Sequence, residues 1–400
     1  MKIVQVATSD MGGAGIAAKQ LHKALLTKGK DSTFVTKVKL GEDTPAHVAT
    51  GDSSEGTDLR NYYLKGRKPG FEYFSFPFSS LRSGSVDAIN SADIVHLHWV
   101  SDSFIDPKDV FSLKNKKFVW TLHDMNPFTG GCHHSDGCLK FQTHCNYCPQ
   151  LEGTVDEYMS HKILDHKFEA LKQISSDSLK IVTPSQWLGN LSKQSKLLGR
   201  FEHSVIPNLV QVDSKELDRI ESRRKMEIED GQTVLLFVAH GVSNPRKGLR
   251  TLLEALRNID KKENLKLITI GGDPISVDGI NCFNFGFIND PGKIAEIFLV
   301  ADAFMLPSLA ENFPNTIVES LLCGTPVIAS AVGGINEQIS NDNGILVESN
   351  KAEDWVEAIN VFLNVKDKFR RESIKKDAEK RYTCEKIIAD HINLYESFIR

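Results

Sequence analysis

Glu311-Asn-Phe-Pro-Asn-Thr-Ile-Val-Glu319 is the stretch that decides the fold, because it sets two carboxylates across a predicted strand-to-helix turn. An apolar strand pattern, 303–308, comes before it. Since proline is tolerated only in the first turn of a helix, Pro314 predicts a helix that begins near 313–315. Glu311 then lies on the loop before this helix, and Glu319 lies roughly one turn inside it.

The predicted helix start is a candidate phosphate site, because the first amides of a helix are unpaired and its dipole is positive there. A carboxylate on each side of a phosphate suits a sugar nucleotide, which carries hydroxyl groups at both ends of its diphosphate. The residues predicted at this phosphate are Asn312, Phe313 and Pro314. The alternative is that the two glutamates are solvated side chains beside an ordinary helix start.

The bulk composition bounds the class of protein. A chain of 400 residues exceeds one ordinary core, which predicts two domains. The 40% hydrophobic and 25% charged content is typical of a soluble globular enzyme, and the net charge of -4 argues against nucleic acid as the main partner. The N-terminus has the pattern of a buried strand without a signal-peptide cleavage pattern, and no apolar run approaches a membrane span, so we expect a cytoplasmic protein.

Strand-like runs alternate with helical patterns along the chain, which predicts parallel sheets with helices on both faces. The predicted strands are Lys2–Thr8, Asp93–Trp99, Lys117–Asp124, Leu179–Ser185, Thr233–His240, Leu265–Gly272, Ala301–Ser308 and Thr325–Val332. Each run ends in small or polar residues, where ligands bind in such sheets. Pro207-Asn208 indicates a turn between the two halves, and the charged helical stretch 367–400 ends the chain. The predicted apolar stripe of that stretch is Ile387, Ile388, Ile392 and Leu394.

Six motifs stand in a characteristic order along the chain. They are Met11-Gly-Gly-Ala-Gly15, Thr121-Leu-His-Asp124, Thr183-Pro-Ser-Gln-Trp187, Pro207-Asn208, Lys247-Gly248 and the Glu-x7-Glu segment. Together they resemble the retaining GT-B glycosyltransferases of the E-x7-E type (glycosyl transferases group 1, family 4), over nearly the whole chain. The resemblance implies an α/β GT-B fold, in which two Rossmann-like domains face each other across a cleft and a C-terminal helix returns to the N-terminal domain. The implied divisions are 1–206 for the acceptor-side domain, 207–380 for the nucleotide-sugar domain and 381–400 for the crossover helix.

The implied activity is retaining transfer of a hexose-type sugar from a nucleotide-diphosphate sugar to a carbohydrate or lipid-linked oligosaccharide acceptor. The run 121–151, from Thr-Leu-His-Asp to Cys-Pro-Gln-Leu, resembles a subgroup of this family that assembles cell-surface polysaccharide, including lipopolysaccharide. The resemblance implies that transfer needs no cofactor, and that Glu311 and Glu319 bind hydroxyls of the sugar and the ribose diol respectively. Two alternatives stay open: an epimerase or phosphorylase on the same fold, and a catalytically silent sugar-nucleotide or zinc-binding partner in an assembly complex.

The glycine loop after the first strand lets the backbone approach a ligand closely and points amides at an anion. It does not fit the G-x-G-x-x-G dinucleotide pattern, so the alternative is a turn without a ligand. The resemblance implies that Gly13, with Gly12 beside it, lies near the donor phosphates and the acceptor.

His123 ends a predicted strand, at the edge where ligands bind. By resemblance it meets the donor sugar, where a hydrogen bond would hold the sugar in attack geometry. The alternative is a structural histidine at the strand end. His96 and His98 alternate on the preceding strand, and we interpret them as packing or acceptor-side residues.

Arg246 and Lys247 precede a predicted helix, where cations oppose the dipole unless an anion compensates them. A nucleotide diphosphate would do so, and both residues are predicted to stabilise the leaving group. The resembled family carries its arginine five positions before the lysine, where this chain has Val242, so Arg246 either supplies the second charge or faces solvent. The resemblance places the nucleotide base near 284–287, with Phe287 among its contacts.

Four cysteines, with histidines between them, fall within one short segment, and their sequence numbers are Cys132, Cys138, Cys145 and Cys148. Such a set suits a closed, structural zinc site better than a catalytic one. Redox-active or free thiols and buried small residues are the alternatives. The stretch 65–78 mixes cations with aromatic residues, which suits either a lipid-linked acceptor and peripheral contact with the inner membrane or ordinary core packing.

Overall fold

The computed structural model describes residues 1–42, 44–50, 74–151, 158–213, 216–239, 244–260 and 262–398. The chain divides into two compact units. The first comprises Met1–Leu209 with Glu385–Arg400, and the second comprises Val210–Cys384. Each unit has its own sheet and its own buried apolar core.

The first unit is built on a parallel sheet, whose strands have the order β3-β2-β1-β4-β5-β6-β7. In chain order these strands are Lys2–Ser9, Asp31–Val38, His47–Val48, Ile94–Leu97, Lys117–Thr121, Leu179–Thr183 and Glu202–Val205. The helices along this part of the chain are Gly12–Thr27, Asp87–Asn90, Pro107–Val110, Met159–Lys172, Gln186–Lys193 and the C-terminal Cys384–Glu396. The central strands are buried along their length, as expected for a parallel sheet that is covered on both faces.

The second unit contains a second parallel sheet, with the order β10-β9-β8-β11-β12-β13. Its strands β8 to β13 are Thr233–Val238, Leu265–Ile270, Asn281–Asn284, Ala303–Leu306, Val327–Ser330 and Gly344–Val347. Its helices are Arg219–Lys225, Leu249–Asn258, Pro291–Val300, Asn315–Leu322, Ile335–Gln338, Ala352–Val365 and Arg371–Arg381. The predicted α/β class with two parallel-sheet, Rossmann-like domains is confirmed.

Each of the eight predicted strands overlaps a strand of the structure, although His240 lies outside the described residues. Sequence reasoning missed several other strands. Two of these, β7 and β10, lie at sheet edges and carry polar, largely exposed side chains. Their sequences lack an apolar run, and their extended conformation depends on hydrogen bonds to the neighbouring strand.

The C-terminal helix Cys384–Glu396 packs on the first unit, which confirms the predicted return of this helix to the N-terminal domain. Its buried residues are Ile387, Ile388, His391, Leu394 and Tyr395. The predicted stripe was therefore wrong at Ile392, which is only half-buried, and it lacked the histidine and the tyrosine. In the part of the chain that the structure describes, none of the helices has the length and apolar composition needed to cross a bilayer.

Candidate functional site

The basic loop of the second unit is held in a defined turn. The Asn244 side chain accepts a hydrogen bond from the Arg246 amide at 3.0 Å and starts the 3-10 turn Pro245–Lys247. Gly248 ends this turn at φ +67°, in the left-handed region. A Cβ there would lie 1.8 Å from the carbonyl oxygen of Pro307, so only glycine fits. The loop thereby lies against the segment that follows β11.

Arg246 and Lys247 meet the same carboxylate. Arg246 Nη1 lies 2.8 Å and Lys247 Nζ lies 2.7 Å from Glu311 Oε1. The three side chains are 15%, 22% and 11% exposed respectively, and Arg246 also donates to the Ala310 carbonyl at 2.5 Å. Arg246 therefore points into the protein, which removes the solvent-facing alternative. Among the residues that the structure describes, two cations against one carboxylate leave a net positive charge at this loop.

The helix after Glu311 begins where the proline predicted. It spans Asn315–Leu322 with Pro314 as its N-cap residue, so Glu311 lies on the preceding loop and Glu319 lies within the helix. Asn312 and Phe313 are buried, and the Phe313 ring packs edge-on against Tyr382 with 5.9 Å between centroids. Glu311 therefore connects two elements. It forms ion pairs with the cations of the basic loop, and it lies on the segment that leads into this helix.

Glu319 is a carboxylate in a poorly solvated position. Desolvation by the surrounding protein raises its pKa to about 7, although part of the residue reaches the surface. Among the described residues, no ion pair or side-chain hydrogen bond compensates this carboxylate. A carboxylate that is costly to ionise and has no cation beside it is typical of a ligand-binding position.

The predicted base-binding segment follows β10. Phe283 and Phe285 pack edge-on with 4.7 Å between ring centroids, and Gly286 has φ +64°. The Gly286 carbonyl accepts a hydrogen bond from the Gly271 amide at 2.6 Å, which ties this turn to the end of β9. Phe287 is 63% exposed at the surface of the second unit.

His123 lies two residues beyond β5 and is half-buried. Burial lowers its pKa to about 4, although the neighbouring Asp124 opposes this shift, so the imidazole is neutral at physiological pH. Its Nε2 lies 3.2 Å from His98 Nδ1, and both His96 and His98 are buried.

Asp124 is a buried carboxylate that is held by hydrogen bonds to neighbouring side chains. Burial alone would raise its pKa, but the charge and hydrogen bond of His133 lower it to about 2. Its Oδ2 lies 2.6 Å from His133 Nδ1 and accepts from Trp99 Nε1 at 2.8 Å. His133 in turn meets Ser75 Oγ at 2.8 Å. His133 is therefore committed to this network rather than to the cysteines that follow it.

The glycine loop opens the helix Gly12–Thr27, with Gly12 at φ +75°. Gly13 is exposed, and a Cβ built on it meets no described atom within 4 Å. Gly15 is different, because a Cβ there would lie 2.2 Å from the Ser9 carbonyl oxygen. Close packing therefore explains Gly15, which sequence reasoning did not single out, but it does not explain Gly13.

The four clustered cysteines line one cavity of about 20 Å³, and all of them carry free thiols. Burial raises the pKa of Cys132 to about 12 and that of Cys145 to about 11. Among the described residues, no group of three or more histidine, cysteine or acidic side chains is arranged to hold a metal ion. The loop thus gathers the predicted sulfur atoms around one space without placing them at ligand distances.

Two sequence predictions fall partly on residues outside those described. Val242, where the resembled family has its arginine, is one of them. Residues 65–73 of the aromatic, basic stretch also lie outside the described residues. Of the remainder, Phe74 and Phe76 are buried in a cluster with Met159 and Ile163, which is ordinary core packing.

Comparison with known proteins gives the class. Residues 218–381 match the family Glycosyl transferases group 1. WcaC of Escherichia coli K12, which is assigned to colanic acid biosynthesis as a glycosyl transferase, is 23% identical over 99% of this chain and 100% of that protein. Other curated relatives, such as a D-inositol 3-phosphate glycosyltransferase of Rhodococcus jostii, are matched over about half of their length.

Solved structures agree on the fold. Sucrose-phosphate synthase of Thermosynechococcus elongatus superimposes with a TM-score of 0.69 at 18% identity, over 100% of this chain and 99% of that one. HepE of Anabaena, solved in complex with UDP, has a TM-score of 0.65 at 17% identity, over 99% of this chain and 100% of that one. The family match over residues 218–381 and the similarity to named glycosyltransferases support one class for the chain, a transferase. The predicted enzyme class, a transferase, is confirmed.

Proposed function

We propose that this chain is a retaining glycosyltransferase, which moves a sugar from a nucleotide-diphosphate sugar to a carbohydrate or lipid-linked oligosaccharide acceptor in cell-surface polysaccharide biosynthesis. Two curated relatives support the pathway class. WcaC is assigned to colanic acid and TuaC of Bacillus subtilis to teichuronic acid biosynthesis. HepE of Anabaena, which shares the fold, was solved with UDP and with UDP-glucose.

The observation that carries the proposal is the shared ion pairing of Arg246 and Lys247 with Glu311. The loop keeps a net positive charge, and the helix that follows Pro314 adds the positive end of its dipole. Together they suit a diphosphate whose negative charge grows as the sugar departs. In this proposal the two cations stabilise the leaving group, and Glu311 binds hydroxyls of the transferred sugar.

Glu319 takes the ribose diol in this proposal. A carboxylate accepts two parallel hydrogen bonds from neighbouring hydroxyls, and these bonds would offset the desolvation that raises its pKa. Gly13 and His123, in the first unit, keep their predicted roles toward the donor and acceptor. We assign no side-chain nucleophile.

The test is a donor screen by ligand-observed NMR with UDP- and GDP-sugars, followed by transfer assays on the donors that bind. We expect one nucleotide class to bind, transfer to require an acceptor, and the product to keep the anomeric configuration of the donor. Inverted product would overturn the retaining mechanism. Conversion of the sugar nucleotide without any acceptor would indicate an epimerase instead.

We also propose that the cysteine loop binds one structural zinc ion. The donor set fits, because four thiols line a cavity large enough for a single small ion. Cys132, Cys138, Cys145 and Cys148 would lose their thiol protons on binding and hold the metal as thiolates. Zinc bound in this way would stiffen the loop and supply no step of the transfer.

Elemental analysis of protein purified without chelator tests this site. We expect about one zinc per chain, and less than about 0.2 equivalents would exclude a tight site. Cys145→Ser should abolish the zinc content. Cys282→Ser, which changes a cysteine outside the loop, should leave it unchanged.

A further inference from the structure

A chain of buried polar side chains connects the C-terminal helix to His123. Tyr395, on that helix, is fully buried, and its hydroxyl lies 2.7 Å from His96 Nδ1. The same hydroxyl accepts a hydrogen bond from Gln5 Nε2 at 3.2 Å. Gln5 is itself fully buried in β1, where a polar side chain interrupts an apolar strand.

The chain continues from Gln5 to His123. Gln5 Oε1 lies 2.7 Å from His98 Nε2, and His98 Nδ1 lies 3.2 Å from His123 Nε2. The two imidazoles stack with 5.4 Å between ring centroids and 26° between planes. All residues of this chain of hydrogen bonds belong to the first unit, so the distances between them are set within that unit alone.

With the Gln5 amide in its orientation in the structure, the donors and acceptors of this chain set one proton order. Gln5 Oε1 can only accept, so His98 donates from Nε2 and, as a neutral imidazole, accepts at Nδ1. His123 must then carry its proton on Nε2 and donate it to His98. At the other end, Tyr395 accepts from Gln5, and its own proton can be donated to His96 Nδ1 at 2.7 Å. In that arrangement the neutral His96 donates from Nε2 to Thr121 Oγ1 at 2.7 Å.

Burial keeps these imidazoles neutral, which the proton order requires. Desolvation holds the pKa of His98 well below its usual range, and the nearby His96, His123 and His391 lower it further. Desolvation lowers the pKa of His96 in the same way. A proton added to any ring would make both of its nitrogens donors and break one link.

We propose that Tyr395, Gln5 and His98 are positioning residues, which hold His123 in the tautomer that has its proton on Nε2 and its lone pair on Nδ1. The functional meaning rests on the role of His123 in the proposed transfer, where the tautomer decides which ring nitrogen donates and which accepts. The C-terminal helix thereby takes part in setting the chemistry of His123 through the Tyr395 hydroxyl.

The Gln5 amide is the deciding element. If it were reversed, each link would run in the opposite direction, and His123 would carry its proton on Nδ1. Removal of the Tyr395 hydroxyl leaves the Gln5 amide without a partner at that end. Tyr395→Phe should therefore mix the two proton orders while it keeps the buried ring.

The tautomer is measured by two-bond 15N–1H NMR on protein labelled with 15N-histidine, with His123 assigned by substitution. We expect a single His123 tautomer protonated on Nε2 in the wild type and a mixture in Tyr395→Phe. The matched control is Tyr382→Phe, because that buried hydroxyl has no hydrogen-bond partner among the described residues. A wild-type proton on Nδ1, or an unchanged single tautomer in Tyr395→Phe, would overturn the proposal.

The kinetic readout is separate. Tyr395→Phe should lower kcat about twofold, in step with the fraction of His123 that changes tautomer, with little change in KM for the donor. Tyr382→Phe should leave both constants unchanged. If Tyr395→Phe fails to fold, Gln5→Met breaks the next link with a side chain of similar length and should mix the tautomers in the same way. Full activity in His123→Ala would refute the proposed role of His123, whereas the NMR result would still decide the positioning.

Discussion

Lys247 Nζ lies 2.7 Å from Glu311 Oε1, although the two residues are 64 positions apart in the chain. Arg246 reaches the same oxygen at 2.8 Å. A single carboxylate therefore joins the basic loop before the helix Leu249–Asn258 to the loop before the helix Asn315–Leu322. The two motifs, which the sequence presents separately, form one charged group in the second unit.

Lys247→Ala should lower kcat/KM by about two orders of magnitude or more, because it removes a cation from the leaving group. The fold should persist, since Arg246 still neutralises Glu311. Transfer kinetics and a thermal melt measure the two effects. Lys225→Ala, which removes an exposed ion pair of 2.8 Å with Glu221, is the control and should leave activity intact. Wild-type activity in Lys247→Ala would refute the assignment.

Glu319→Gln should be more stable than the wild type, by a margin that grows as the pH rises, and it should bind the donor more weakly. The folded-state pKa of Glu319 is about 7, against an ordinary value of 4.5. As the pH rises from about 4.5 to about 7, Glu319 loses its proton in the unfolded chain before it does so in the folded protein. The wild type therefore loses stability over this range, and that stability is fully present only below about pH 4.5. Above pH 7 the cost is about 1–3 kcal/mol, reduced by partial exposure.

Urea unfolding of both proteins at pH 4.5, 6 and 8 measures this difference. The gap in the free energy of unfolding should widen with pH in favour of Glu319→Gln. A gap that stays constant across the three pH values would contradict the raised pKa.

Gly248→Ala should destabilise the second unit and abolish transfer. Alanine in the left-handed backbone conformation costs about 1 kcal/mol of stability, and its Cβ would also clash with the Pro307 carbonyl. Gly231→Ala is the matched control, because it has φ +84° but no described atom within 4 Å of its Cβ. Gly231→Ala should lose only the roughly 1 kcal/mol that the left-handed conformation costs, and it should keep full activity. Equal losses in both variants would show that the close approach has no effect.

Gly13→Ala separates ligand approach from packing. Its Cβ meets no described atom within 4 Å, so the substitution should be neutral or stabilise the helix by about 0.5 kcal/mol. If the donor or acceptor approaches the backbone here, kcat/KM should nevertheless fall by about tenfold or more. Gly15→Ala should instead lower the melting temperature, because its Cβ would strike the Ser9 carbonyl. Unchanged kinetics in Gly13→Ala would remove Gly13 from the site.

Local sequence rules predicted the elements that depend on local physics. Pro314 marks the start of its helix because its ring is accommodated only there, and the apolar runs became the buried strands of the two sheets. The rules failed where a partner decides the conformation. The edge strands β7 and β10 have no apolar run of their own, and Tyr395 and His391 are buried because the C-terminal helix lies against the first sheet.

The sequence by itself determined the class of fold, the order of the motifs and the position of Glu311 and Glu319 on either side of a helix start, because each follows from hydrophobic period and backbone stereochemistry. Only the tertiary structure decided that Arg246 points inward to Glu311, that Glu319 is desolvated, and that His123 ends a chain of buried hydrogen bonds. Charge pairing, desolvation and hydrogen-bond direction depend on atoms that are remote in the chain, and these come together only when the sheets and helices pack.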